Sequence, residues 1–166
     1  MKQNETKIEG CWLIEGKRFF DNRGFFQEMY SDRGLTKKPH WKQVNWSQSK
    51  PDVVRGVHVA PFQKLVTCVS GHIFDVVIDL RRESDTFYQW EGFELNGNTP
   101  SQVLIPPGCG HGFFARTLAT VIYMQDDVYA AGKEKDWHWR SLPIPWPRAR
   151  EYVLSDKDKK AQPWQG

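Results

Sequence analysis

The stretch Leu65-Val66-Thr67-Cys68-Val69-Ser70-Gly71-His72-Ile73-Phe74-Asp75-Val76-Val77-Ile78-Asp79-Leu80 sets two apolar, β-branched runs on either side of a Ser-Gly junction. Such residues suit a pleated, half-buried surface, so 65–70 and 73–80 are expected as strands, with Ser70-Gly71 as a hairpin turn. The same signature recurs on both sides, at 53–59, 87–95, 102–105 and 120–129. Asn96-Gly97-Asn98 marks a further turn, and Pro106-Pro107-Gly108 breaks the chain sharply. No apolar pattern of helical period extends over ten residues; the short stretch 30–37 comes nearest. Many short strands separated by Gly and Pro turns predict a sandwich or barrel, mostly β. The Pro- and Trp-rich tail from Pro143 is expected to wrap the surface.

Length and composition agree with one domain over residues 1–166. The 166 residues are 39% hydrophobic and 26% charged, enough for a core without staples. Aromatics at 14%, with eight tryptophans, argue against disorder. Lys+Arg 23 against Asp+Glu 20 is a net charge of +3, too mild and too interspersed for a nucleic-acid groove. Cys11, Cys68 and Cys109 are an odd number with no CxxC pair, unlike a disulfide framework. No run approaches the ~20 apolar residues of a membrane span, and 1–10 lacks the apolar core of a signal peptide. A cytoplasmic protein with no membrane partner is expected.

Five histidines are candidates for chemistry: His40, His58, His72, His111 and His138. His58 closes a strand whose alternate neighbours, Gly56 and Ala60, are small and leave space around the ring. His111 lies in Gly108-Cys109-Gly110-His111-Gly112-Phe113, where glycines permit close backbone approach. A metal site is the first alternative, but the chain has no His-x-His and no Cys/His cluster at ligand spacing. Cys109 between glycines could be an activated thiol; a small buried cysteine in a tight turn is the commoner meaning. There is no G-x-S-x-G elbow and no P-loop. Acid–base chemistry remains, with His58 as base, Tyr123 or Tyr129 as proton donor and Lys64 to neutralise an oxyanion.

Several blocks, in order, resemble the dTDP-4-dehydrorhamnose 3,5-epimerases. Phe20-Asp21-Asn22-Arg23-Gly24-Phe25-Phe26-Gln27-Glu28 is similar to their F-x-D-x-R-G-x-F-x-E opening. Gln43-Val44-Asn45-Trp46-Ser47-Gln48-Ser49 with Arg55-Gly56-Val57-His58 resembles Q-x-N-x-S-x-S…R-G-L-H. Lys64-Leu65-Val66 and Asp75-Val76-Val77-Ile78-Asp79-Leu80-Arg81 resemble K-L-V…D-V-x-V-D-L-R. Ile105-Pro106-Pro107-Gly108, His111-Gly112-Phe113, Trp146-Pro147 and Leu154-Ser155-Asp156-Lys157-Asp158 complete the order.

The resemblance implies a metal-free, cofactor-free, cupin-type β-barrel or jelly roll with short helices and a C-terminal extension. It implies a homodimer with the N-terminal arm, about 1–30, at the interface. The implied activity is epimerisation of a nucleotide-diphospho-4-keto-6-deoxy sugar, at C3, C5 or both, through an enolate. His58 corresponds to the base, Asp158 to the aspartate that orients it, Lys64 to the enolate stabiliser and Tyr123 to the proton donor. Arg23, Phe26 and Glu28 match residues lining the partner subunit's site; Gln43, Asn45, Arg55, His111 and Tyr129 match further substrate-binding positions. Arg23 and Glu28 lie in an otherwise apolar segment, 19–29, which by itself also suits an edge strand carrying protective charges.

The chain departs from the family in Ala60, where Gln is usual, Trp46 for His, Ala131 for Pro, and a loop about four residues shorter between His58 and Lys64. These changes border the sugar pocket. Two other functions therefore stand beside the first: a single-centre epimerase of another nucleotide-linked keto sugar, such as a keto-heptose, and a non-catalytic sugar-nucleotide-binding cupin. The latter would be expected to lack His58, Lys64 or Tyr123, and all three are present.

Overall fold

In the computed structural model, which describes residues 1–31, 33 and 39–166, the two runs flanking Ser70-Gly71 are strands of different sheets. The strands begin with β1 (Lys2–Glu5), β2 (Trp12–Glu15), β3 (Arg18–Asp21), β4 (Gly24–Gln27) and β5 (Gln43–Ser49). They continue with β6 (Val54–Val59), β7 (Lys64–Ser70), β8 (His72–Asp79) and β9 (Trp90–Asn96). Then come β10 (Ser101–Ile105), β11 (Cys109–Ala115), β12 (Ala119–Gln125) and β13 (Lys135–Asp136). A 3-10 turn, Trp139–Ser141, and one short helix, α1 (Asp156–Lys160), complete the described elements. Most of the expected 30–37 stretch lies outside the described residues.

One sheet has the order β1-β2-β10-β7-β12-β5, the other β13-β6-β11-β8-β9, and β3-β4 is a separate hairpin. From β5 to β12 the chain changes sheet at almost every connection, the pattern of a jelly roll. This corrects the hairpin expected at Ser70-Gly71: β7 pairs with β10 and β12, whereas β8 pairs with β11 and β9. Gly71 turns the corner with φ +77, and a Cβ there would lie 2.1 Å from the Leu118 carbonyl oxygen. Only glycine fits where three sheet-to-sheet corners crowd together, since Gly97 N–H also donates to the Gly71 carbonyl. Two strands lay hidden in segments read mainly as motifs. β5 is an edge strand of alternating exposure, and the glycine-rich β11 is central, between β6 and β8.

The core between the sheets gathers Val66, Cys68, Val77, Leu95, Val103, Ile105, Phe113 and Val121. The outer face of the five-stranded sheet is also covered: Val57, Val76 and Ile78 pack under Leu142, Ile144, Trp146 and Trp164. The tail does wrap the surface, and its proline-rich course is fixed by Trp146 Nε1 donating to the Trp139 carbonyl. Among the described residues, no helix is long and apolar enough to cross a membrane.

The expected strand 87–95 begins only at Trp90, because Asp79 organises the segment before it. Buried Asp79 accepts hydrogen bonds from Arg81 Nη2 (2.7 Å), Ser84 Oγ (2.6 Å) and Thr86 Oγ1 (2.6 Å), and its backbone carbonyl takes the Tyr88 N–H. Burial pushes this carboxyl up, but Arg81 and the two hydroxyls outweigh it and hold it well below the usual carboxylate range. Its contribution to stability is therefore present above the ordinary aspartate pKa of about 4 and is lost as pH falls through the depressed value. Asp79→Asn is expected to cost about 2–3 kcal/mol at neutral pH, or about 5–10 °C in Tm, with a smaller penalty in acid. Thermal melts of both proteins from pH 7 to pH 3 check this; an unchanged Tm would contradict it.

Candidate active site

Near the end of β6, His58 faces inward between two strands. Its backbone partners are His111 on β11 and Asp136 on β13. The close approach of β6 to β11 depends on Gly56 (φ +120) lying against Gly112: a Cβ on Gly56 would sit 2.7 Å from the Gly112 Cα. His58 Nε2 is 2.7 Å from Asp158 Oδ1, contributed by α1 from 100 residues further along the chain. Ser155 holds that aspartate twice, its hydroxyl donating to Oδ2 (2.9 Å) and accepting the Asp158 N–H (3.1 Å). Burial raises the Asp158 carboxyl, but the His58 hydrogen bond and charge outweigh it, so the group is held below its usual range. It stays ionised near neutrality.

His58 opens onto a cavity of about 120 Å³ between the sheets, lined by Ser47, Arg55, His58, Lys64, His111, Phe113, Val121, Tyr123 and Glu134. Lys64 and Tyr123 come from the six-stranded wall and His58 from the five-stranded wall. Lys64, only 7% exposed, pairs through its ammonium with Glu134 at 2.9 Å, and the ammonium lies 6.0 Å from the centre of the Tyr123 ring. Burial pushes Glu134 up, but the Lys64 charge outweighs it and keeps the carboxylate ionised. Burial first, and Glu134 second, raise the Tyr123 phenol, which therefore keeps its proton. His111 Nε2 is 2.8 Å from fully buried Asp75, a second histidine–aspartate pair facing the same cavity.

Of the other expected site residues, Arg55 is tied to β5 through Ser49 Oγ (2.9 Å) and the Gln48 carbonyl (3.0 Å). Asn45 is the register partner of Tyr123, and Gln43 of Gln125, so both share the cavity face of β5. Gln43 Oε1 accepts the Tyr129 N–H at 2.8 Å; Tyr129 itself is half exposed and does not line the cavity. Arg23, Phe26 and Glu28 are not brought to this cavity. Among the described residues, Arg23, with an 85% exposed side chain, pairs only with Asp21; Glu28 pairs with Arg33; Phe26 is 69% exposed on the β3–β4 hairpin.

Sequence reasoning missed Glu134 and Asp136, and quoted Asp75, Ser155 and Lys157 only within motifs. Glu134-Lys135-Asp136 reads as a solvated charge run, yet Asp136 on β13 and Glu134 just before it both carry their carboxylates to His58. Asp75, a charge inside an apolar strand, was a visible signal. His58, Glu134 and Asp136 also place possible metal-ligand atoms within 4.8 Å of one another. The two carboxylates are instead met by the chain's own cations, Lys64 on Glu134 and Lys157 on Asp136 at 2.9 Å. Burial raises the thiols of Cys11, Cys68 and Cys109, to about 12 and about 11 for the first two, which agrees with a packing role. A larger hollow of about 580 Å³ on the other side of β13, lined by Arg82, Lys135, Trp137 and Trp164 among others, holds no paired acid and base.

Comparison with known proteins sets this arrangement in a family. A dTDP-4-dehydrorhamnose 3,5-epimerase from Streptomyces griseus is 44% identical over 165 residues, covering 93% of this chain and 82% of that protein. The crystal structure of a Legionella pneumophila 3,5-epimerase in complex with dTDP-4-keto-L-rhamnose superposes with a TM-score of 0.90 at 35% identity, covering 97% and 91% of the two chains. A 3'-monoepimerase from Streptomyces bikiniensis, in complex with dTDP-quinovose, reaches 0.87 at 30% identity over 95% and 85%. The dTDP-4-dehydrorhamnose 3,5-epimerase family model itself matches residues 5–166, a span that includes both walls of the cavity and the helix carrying Asp158. With fold and sequence in agreement over nearly its whole length, this chain belongs to the dTDP-4-dehydrorhamnose 3,5-epimerase family.

Proposed function

We propose that the protein epimerises a nucleotide-diphospho-4-keto-6-deoxy sugar, inverting C3 and C5 by proton abstraction beside the C4 ketone. The meeting of the His58–Asp158 pair with Lys64 and Tyr123 in one cavity carries this reading. The ketone acidifies the hydrogens at C3 and C5, and loss of one leaves an enolate. His58 takes that proton on Nδ1, the nitrogen not engaged by Asp158, and the ionised aspartate steadies the resulting imidazolium. The Lys64 ammonium, held by Glu134, stabilises the enolate oxygen in a site largely closed to water. Tyr123 delivers its proton to the carbon from the opposite wall, which inverts the centre, and exchange with solvent resets both groups.

A cavity of about 120 Å³ suits a sugar ring. Whole-ligand pockets usually measure about 300–1,000 Å³, so the nucleotide lies across the mouth, beside Gln43, Asn45 and Tyr129, with Arg55 and His111 nearer the ring. A second copy of the chain completes that mouth. Phe19, Phe20, Phe25 and Phe26 are all exposed on the hairpin beside Arg23, a patch suited to an isologous dimer in which Arg23 reaches the partner's phosphates. Residues 1–166 act as one domain in this reading. The compartment is the cytoplasm, in keeping with three free, buried cysteines.

Incubation with dTDP-4-keto-6-deoxyglucose in heavy water tests the reading, with deuterium counted by NMR at C3 and C5. Uptake at both carbons is expected; uptake at one would place the protein with single-centre epimerases, and binding without uptake would make it a sugar-nucleotide-binding cupin. The steps above use no metal, so exchange after exhaustive chelation should equal that of untreated protein. Loss restored by one metal ion would overturn that part of the mechanism.

A further inference from the structure

A second carboxylate reaches the nitrogen of His58 that Asp158 engages. Asp136 Oδ1 lies 3.7 Å from Nε2, delivered by β13, a strand only two residues long whose pairing with β6 sets Asp136 opposite His58. Asp136 does not line the cavity; it stands behind the ring, between the base and α1. There it meets Lys157, the residue before Asp158, at 2.9 Å, and Lys157 reaches on to Glu134 at 3.9 Å. With the Lys64–Glu134 pair, ion pairs run in a row from Lys64 through Glu134 and Lys157 to Asp136, which reaches the His58 ring that Asp158 also engages. Burial disfavours the Lys157 ammonium, but Asp136 and Glu134 outweigh it, so its charge is held.

We propose that Asp136 is a positioning residue for the base. With Asp158 it keeps the Nε2 proton between two carboxylates, so that Nδ1 is the nitrogen free to accept a proton, and Lys157 sets how much of Asp136's charge the ring feels. The inference rests on the reading of His58 as base. Among the described residues, the other charged or titratable groups facing His58 are His111 from β11, Arg55 on β6, Lys64 from β7, Tyr123 from β12 and Glu134 from the loop before β13. Lys157 also pairs with Glu134 at 3.9 Å, so the Lys157 variant is read together with Asp136→Asn and the double variant.

Opposite displacements follow. An opposite charge within about 4–6 Å moves a titration by about 1–3 units, and the Lys157 counter-charge keeps this case near the lower end. In Asp136→Asn, the acidic limb of kcat/KM should move to lower pH by about one unit. In Lys157→Met it should move to higher pH by a similar amount. The double variant should return near wild type, and Asp136→Glu should restore the limb without a second change. A residue that merely supported the fold would lower activity or Tm without moving the limb in either direction.

The same displacements are expected, without substrate, in an NMR titration of the His58 C2 proton, assigned by its loss in His58→Asn. NMR midpoints that stay fixed in both single variants overturn the proposal, as does an active enzyme whose limb ignores them. Midpoints that move in opposite directions while wild-type protein exchanges no sugar proton support the hold on His58 and fail only the catalytic reading. The Lys157→Met arm is independent of how well Asp136→Asn folds.

Discussion

Replacing His58 with alanine is expected to abolish proton exchange at the sugar carbons. General-base catalysis contributes about 10²–10⁴ in rate, and the geometry supplies no second base in the same place. Arg55 and Lys64 are cations, Tyr123 is held protonated, and Glu134 is committed to Lys64. Binding of the nucleotide sugar should change little, because the imidazole offers little contact area. Deuterium uptake and equilibrium binding, measured on the same preparation, separate the two effects. Residual exchange above about 1% of wild type would exceed the loss expected for a missing base and move the role elsewhere, to the His111–Asp75 pair as the nearest alternative.

The same inactive variant is expected to recover when mixed with Arg23→Ala, itself inactive if Arg23 serves the partner's site. Each mixed dimer would contain one cavity with His58 from one chain and Arg23 from the other. Random pairing at equal amounts makes about half the dimers mixed, so about a quarter of all sites should turn over. That is a rise from near zero, visible in a single assay. Subunit exchange verified by mass, with no recovered turnover, would place Arg23 and His58 in service of the same chain's site. The exposed, Asp21-paired Arg23 of the single chain would then be a surface charge.

What could be read from the chain beforehand followed from the range of each signal. Strand positions such as 65–70 and 73–80 were legible because residue chemistry and period are local. Their pairing was not. Ser70-Gly71 has hairpin composition, and only packing against Leu118 reveals it as a corner between sheets. His58, Lys64 and Tyr123 stood out by residue type and strand context, and the cavity does collect them. Asp158 entered through resemblance alone, since a bond across 100 residues leaves no local trace. Glu134 and Asp136 were missed for a related reason: a two-residue strand in a charged segment has no apolar alternation to announce it.

The constant change of sheet along the chain has a consequence for how the protein forms. Among β5 to β12, only β8 and β9 are both consecutive and hydrogen-bonded. Every other pairing must close a long loop before it gains a contact, which sets folding in the slow, millisecond-to-second range of non-local β topologies. The groups that line the cavity feel this most. His58, Lys64 and Tyr123 sit on β6, β7 and β12, none of which is the other's hydrogen-bonded neighbour except β7 and β12, and Asp158 arrives with the last helix. A chain emerging from the ribosome thus carries His58 long before Asp158, and their pair can form only once the helix that bears the aspartate has docked.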